Sequence, residues 1–223
     1  MSTFDNVRFL IPARKGSKGL PFKNRKLFSI TSDVIPNYLQ NNVIISTDDN
    51  DIKNSAKNYG FQVHHRDEIS SNDYASMHDV VKKVINDLAL NNVVIIVLYL
   101  TYPERTFEDI ENALEFFNKN FAKSLLCKKQ VETHPYLCFL EKNEHHGELL
   151  IKHEFYRRQD YPKCFEVSHF ISIFHSSEID KLCNQLYNKD TIFFRIGNVI
   201  DVDEQGDLNK YENKDCSRNW YQP

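Results

Sequence analysis

No apolar run in this chain approaches the roughly 20 residues that cross a bilayer, and no basic-then-apolar leader opens it. The expectation is a cytoplasmic protein with no membrane contact. A C-x-x-C pair is also missing. The five cysteines, Cys127, Cys138, Cys164, Cys183 and Cys216, are odd in number and widely spread. That argues against a disulfide framework or a structural zinc site and leaves them as small buried apolar groups. Neither sign of charge dominates: 28 Lys and Arg against 31 Asp and Glu give a net charge of −3. A general nucleic-acid-binding face is therefore not expected. Two common phosphate loops, G-x-x-x-x-G-K-[ST] and G-x-G-x-x-G, do not occur. No internal repeat, low-complexity stretch or flexible linker divides the 223 residues. They read as a single domain, 1–223, large enough to bury a sizeable core.

What is present is a basic glycine loop. Val7 to Ile11 reads as a first strand, and Ile11-Pro12-Ala13-Arg14-Lys15-Gly16-Ser17-Lys18-Gly19-Leu20-Pro21-Phe22-Lys23-Asn24 leaves it. Two glycines let backbone N–H groups approach an anion, while Arg14, Lys15, Lys18 and Lys23 neutralise it. Arg14 offers a planar fork and the lysines point charges. The competing reading is a solvated turn whose charges only keep the chain soluble.

Further along, 42–49 predicts a second strand, 51–59 a short helix ended by Gly60, and 61–64 a third strand. Between loop and second strand, 26–39 reads as an abbreviated crossover with one helical turn near Ile35-Pro36. Met77, Val80, Val81, Val84, Ile85 and Leu88 recur with helical period in 74–90, which makes them core rather than pocket. Val93 to Leu98 has no alternation, as in a strand buried on both faces. Thr106 and Asp109 form a capping box ahead of Phe107, Ile110, Leu114 and Phe117. Strands follow at 124–127, 170–174 and 191–196, with a helix from Ser176 or Ser177 to Tyr187 and a last one around 207–212. This order predicts an α/β fold with a doubly wound, mostly parallel sheet. Ligands sit beyond the carboxyl ends of such strands, where the basic loop, the Thr47-Asp48 turn and the Tyr99–Arg105 loop all fall. The segment 131–160 breaks the pattern and reads as an inserted hairpin, Tyr136–Leu140 against Glu148–Ile151.

Two more groups carry chemistry. Asp201 and Asp203 are one residue apart in an extended run, so their carboxylates share a side and Mg²⁺ would relieve their repulsion. The alternative is an ordinary D-x-D at a strand end. Arg157-Arg158-Gln159-Asp160 either meets an anionic substrate or is a charged turn bonded to Asp160.

The loop closely resembles the nucleotide-binding signature I-P-A-R-x-G-S-K-G-[IL]-P-x-K-N of the acylneuraminate cytidylyltransferases, which make CMP-activated sialic and related acidic sugars. The likeness continues through V-I-I-S-T-D-D-x-x-I, the A-K-x-Y-G of 56–60, Arg66 to Asp73 and R-R-Q-D. Val199-Ile200-Asp201-Val202-Asp203-Glu204 is similar to the family's I-D-I-D-T metal motif. The resemblance implies CTP as co-substrate, contacted by Ala13, Arg14, Ser17, Lys18, Lys23, Asn24 and Asp73. It implies Mg²⁺ on Asp201 and Asp203, and catalytic roles for Arg14, Lys18, Lys23 and Asp203. It places Tyr99, Thr101, Arg105, Arg157, Arg158 and Gln159 against the acceptor, an acidic sugar destined for surface glycan synthesis. Lys128, Lys129 and His134 near the H-P-Y segment are weaker candidates. The 131–160 hairpin resembles the family's arm into a second subunit, implying a homodimer; the other reading is a hairpin covering its own sheet. Departures gather on the acceptor side. L-Q-P-T-S-P-L-R-T has become Leu98-Tyr99-Leu100-Thr101-Tyr102-Pro103-Glu104-Arg105-Thr106, and E-N-G-A has become Val167-Ser168-His169-Phe170. A phenol in place of an amide alters which hydroxyl donor fits, leaving open a non-sialate acceptor or a non-catalytic nucleotide-binding descendant.

Overall fold

The computed structural model describes residues 4–16, 19–67, 70 and 75–214. The alternating first half forms β1 (Val7–Pro12), α1 (Lys23–Asp33), β2 (Val43–Thr47), α2 (Asn50–Asn58), β3 (Gln62–His65), α3 (Met77–Asp87), β4 (Val94–Val97) and α4 (Phe107–Lys119). There follow β5 (Ser124–Gln130), β6 (Phe139–Asn143), β7 (His146–Leu149), β8 (Phe165–His175), β9 (Ile192–Arg195) and α5 (Gln205–Glu212). Seven strands make one sheet in the order β3-β2-β1-β4-β8-β5-β9. β1 pairs in parallel with β2 and β4, β2 with β3, and β5 with β9; β8 alone runs antiparallel, between β4 and β5. The sheet is thus mostly parallel, as the alternation predicts.

Both faces are covered. Phe9, Ile11, Ile45 and Ile96 point to one core with Leu27, Phe28, Ile52, Ala56, Leu114 and Phe117 of α1, α2 and α4. Leu10, Ile44, Ile95 and Val97 point to the other, with Val81, Val84 and Ile85 of α3. β4 is buried on both faces, which is why its sequence shows no alternation. The Thr106 box is formed: its hydroxyl accepts from the Asp109 N–H, and the Asp109 carboxylate accepts from the Thr106 N–H at 2.7 Å.

Three expectations change. The crossover after the loop is not abbreviated, because α1 spans 11 residues and a 3-10 segment, Asn37–Asn42, follows it. Its buried stripe carries Thr31 and Ser32 beside Leu27 and Phe28, with the Ser32 hydroxyl donating to the Phe28 carbonyl, so no apolar period marked it. The helix from Ser176 is only a 3-10 turn, Ser176–Lys181. The chain then doubles back, Cys183 N–H to Tyr187 carbonyl and Leu186 N–H to Cys183 carbonyl, and this places Leu182 and Leu186 in the core. Of the four described cysteines only Cys127 is buried, and all four are unpaired; Cys216 lies outside the described residues.

The hairpin of β6 and β7 is a separate two-stranded sheet, every residue of it exposed. At its base Tyr136 clusters with His153 at 4.3 Å and Phe155 at 5.7 Å, which are 6.0 Å from each other, with His134 and Tyr161 edge-on or tilted around them. His134 is structural: its Nδ1 accepts from the Tyr136 N–H and its Nε2 meets the Pro162 carbonyl at 3.0 Å. Lys128 lies over the Phe165 ring and Lys129 pairs with Glu166.

Candidate active site

Strand order reverses between β1 and β4, and a cavity of about 290 Å³ opens beyond their carboxyl ends. Pro12, Arg14 and Gly16 of the loop, Lys23 and Asn24 of α1, and Arg66 after β3 form one wall. Tyr99, Leu100 and Thr101 after β4 form another, with Ala75, Met77 and Val80 at the start of α3 between them.

The loop is pinned at its root. Ala13 is fully buried; its N–H donates to the Ser46 carbonyl at 2.9 Å and its carbonyl accepts from the Thr47 hydroxyl. Asn24 reaches back to the Arg14 carbonyl at 2.8 Å, and the Lys15 N–H donates to Asp48 at 2.7 Å. These bonds spend backbone groups on shape and leave the Arg14 side chain on the cavity wall. Arg66 joins it there. The residue is 5% exposed and its guanidinium donates to the Ser70 carbonyl. Burial pulls its pKa down, with Asp48 opposing that and neighbouring Arg14 adding to it. Two guanidiniums and the Lys23 ammonium gathered in one cavity suit a polyanion, since a phosphate chain would relieve their mutual repulsion.

The carboxylates arrive from the far end of the chain. The Val202 N–H donates to the Thr101 carbonyl at 2.8 Å and the Val202 side chain is fully buried, so Asp201 and Asp203 both face outward. Asp203 pairs with Lys23 at 2.7 Å, and burial, with the Asp201 charge adding to it, raises the Tyr102 pKa. The 201–203 segment has no assigned secondary structure and joins no ladder of the sheet. Gly19 fits against it because a Cβ there would run into the Asp203 carbonyl oxygen. Glu104 fixes the approach: 2% exposed, it accepts from the Ile200 N–H at 2.8 Å and pairs with Lys214 at 2.8 Å. Among the described residues no three His, Cys, Asp or Glu side chains form a metal cage. Two outward carboxylates in i, i+2 positions do fit Mg²⁺, which takes one or two carboxylates and completes its shell with phosphate oxygens and water.

Several expected site residues stand elsewhere. Arg105 does not line the cavity. It is 2% exposed, donates from Nε to the Phe170 carbonyl at 2.8 Å and from Nη2 to the Tyr99 carbonyl at 2.7 Å, and lies against the Tyr102 and Phe170 rings. Burial pulls it down to about 10. Its two bonds brace the β4 loop against β8. Arg157, Arg158 and Gln159 sit in an exposed turn off the cavity wall, with Arg157 forked onto Asp160 at 2.9 and 3.3 Å. The charged-turn alternative describes them within one chain. Ser17, Lys18 and Asp73 lie outside the described residues. In the other direction, Arg66, Met77 and Val80 line the cavity; the last two also serve the core as the sequence reading has it, Val80 being 2% exposed and Met77 packing against the α3 core cluster. Their helical period is that of a core stripe, and only the position of the α3 N-terminus over the sheet edge separates the two uses.

A cytidylyltransferase family model matches residues 8–178. The N-acylneuraminate cytidylyltransferase of Streptococcus agalactiae serotype V is 28% identical over 161 residues, covering 68% of this chain and 39% of that protein. The pseudaminic acid cytidylyltransferase of Campylobacter jejuni subsp. jejuni serotype O:2 is 30% identical over 169 residues, 70% of this chain and 72% of that one. The chain therefore spans about two fifths of the streptococcal relatives it matches. Among solved structures, a CMP:2-keto-3-deoxy-manno-octonic acid synthetase complexed with CTP superposes with TM-score 0.64 at 15% identity, covering 93% of this chain and 97% of that one. A 4-diphosphocytidyl-2C-methyl-D-erythritol synthase from Anaerococcus prevotii gives 0.62 at 12%, covering 95% and 99%; both likenesses concern the fold. The matched span contains the basic loop, Arg66, the start of α3 and the β4 loop, every wall of the cavity, and by that match the chain belongs to the cytidylyltransferase family.

Proposed function

We propose that this chain transfers CMP from CTP to a hydroxyl of an acidic sugar and releases pyrophosphate. The observation that carries the reading is the grouping of Arg14, Lys23 and Arg66 in one cavity at the sheet's switch point, opposite Asp203. The acceptor oxygen attacks the α-phosphorus in line, its proton passes to solvent, and the bond to the pyrophosphate oxygen breaks. Arg14, Arg66 and Lys23 hold the triphosphate, with Lys18 beside them by likeness to the family. Asn24 keeps the loop in place, and Thr101 fixes the Asp203 segment through its carbonyl. A divalent cation held by Asp201 and Asp203 with phosphate oxygens would neutralise charge on the triphosphate. Rate enhancement comes from positioning and electrostatics, and no covalent nucleophile takes part.

The exposed β6–β7 arm, with Phe139 64%, Leu140 63% and Leu149 46% exposed, supports a homodimer in which the arm packs on a second copy. That association is also the route by which Arg157 or Arg158 would reach an acceptor. The cytoplasm is the proposed location: no helix among the described residues is long and apolar enough to cross a membrane, and nucleotide substrates are intracellular.

Pyrophosphate release with CTP, Mg²⁺ and separate N-acetylneuraminic, pseudaminic, legionaminic and Kdo-type acids tests the proposal. Turnover with one or more of them is expected. Turnover only with a non-sugar alcohol or phosphate would support a second reading, favoured by Tyr99 standing where the family signature has glutamine. No turnover together with no CTP binding would leave only a nucleotide-site relic.

The same assay reads the loop contact. Gly19→Ala is expected to lower turnover roughly tenfold or more, because moving a charged group by about 1 Å weakens positioning severely. The thermal midpoint should fall little, since the displaced loop is at the surface. Wild-type turnover in Gly19→Ala would mean that the loop's seat on Asp203 is not needed.

A further inference from the structure

β8 does not pair evenly with β5. Leu126 faces Ser172 but the next residue, Cys127, faces Ser168, so His169, Phe170 and Ile171 bulge from the ladder. Bulges re-aim side chains beside active sites. Here Phe170 and Ile171 go into the core, and Ser168 is buried too, while His169 is left only partly buried. Arg105 clamps the bulge through the Phe170 carbonyl and, with its other arm, holds the Tyr99 carbonyl. The His169 ring consequently lies 5.3 Å from the Tyr99 ring, which itself lines the cavity. Tyr102 seals the rear, edge-on to Phe170 at 5.7 Å.

From this we infer that His169 is a specificity-determining residue, which donates a hydrogen bond to an oxygen substituent of the acceptor sugar while Tyr99 packs against the sugar's C–H face. The tautomer follows from the surroundings. His169 Nδ1 is buried with no partner. A buried N–H without a partner is costlier than a buried lone pair, so the proton belongs on Nε2. In this proposal Nε2 is the nitrogen that meets the ligand. The inference rests on the acceptor reading above and deepens it: the acceptor must carry an oxygen that accepts a bond where this ring stands.

The test compares His169→Phe, which keeps the ring and removes the donor, with His169→Gln, whose amide nitrogen stands near the place of Nε2. Initial rates are taken with CTP and whichever of N-acetylneuraminic or pseudaminic acid the wild type uses. The acceptor KM should rise roughly tenfold in His169→Phe, the worth of about one hydrogen bond. The CTP KM and the thermal midpoint should stay at wild-type values, and His169→Gln should recover most of the loss. An unchanged acceptor KM in His169→Phe overturns the inference. So does a parallel rise in both KM values with a lower midpoint, which is the mark of a packing role. Absence of turnover in the wild type would instead overturn the acceptor reading, and this inference with it.

Discussion

Asp203→Ala is expected to lower turnover at least a hundredfold, the scale on which loss of one preorganised charged group in an active site registers, while leaving the fold intact. Asp203 is 69% exposed in its side chain and closes no core contact, so unfolding should occur at the wild-type temperature. Its carboxylate has two partners to serve. In the structure it pairs with Lys23; in the proposed reaction a bound triphosphate would draw Lys23 away and free the carboxylate for a cation. The variant separates the two roles. Without a divalent cation, CTP should bind Asp203→Ala at least as tightly as the wild type, because Lys23 has lost its competing anion. With Mg²⁺ the advantage should reverse, and the Mg²⁺ concentration for half-maximal rate should climb. A variant that turns over normally at low Mg²⁺ would remove Asp203 from the chemistry.

Arg105→Ala should be the most destabilising single change at the site, by about 4 kcal/mol, the sum expected for two buried carbonyls left unpaired and a large side chain lost from a packed region. For a chain of this size that corresponds to a fall of about 10 °C in the thermal midpoint. Arg105→Lys should not rescue it, since one ammonium cannot reach the Tyr99 and Phe170 carbonyls as the planar fork does. Denaturant unfolding of both variants checks this; a loss below about 1 kcal/mol in the alanine variant would show that the brace is dispensable. Activity should fall with stability here, because the same two bonds position Tyr99 and the His169 bulge. The buried Cys127 thiol nearby, pushed up to about 12 by burial and drawn down in part by Arg105, stays protonated throughout.

The basic loop was legible because everything it needs is contiguous: glycines for close approach and cations within a few residues of one strand end. β4 was legible from its unbroken apolar run and α4 from its capping box, both local signals with a single physical reading. α1 was hidden by Thr31 and Ser32, since a buried hydroxyl that donates to its own helix carbonyl looks polar in the sequence and apolar in the fold. Met77 and Val80 had the period of a core helix, and period says which face of a helix is covered without saying by what.

What the sequence by itself determined was the α/β order, the basic glycine loop at the end of the first strand and the family, because each lives in short-range patterns of residue type. The tertiary structure alone decided the pairing of Lys23 with Asp203 across 180 residues, the burial of Arg105 as a brace, and the delivery of His169 to Tyr99. Each of these depends on which strands lie side by side. A bulge is defined only by the register of its partner strand, and a guanidinium becomes a ligand or a strut according to whether a carbonyl or an open cavity lies within its reach.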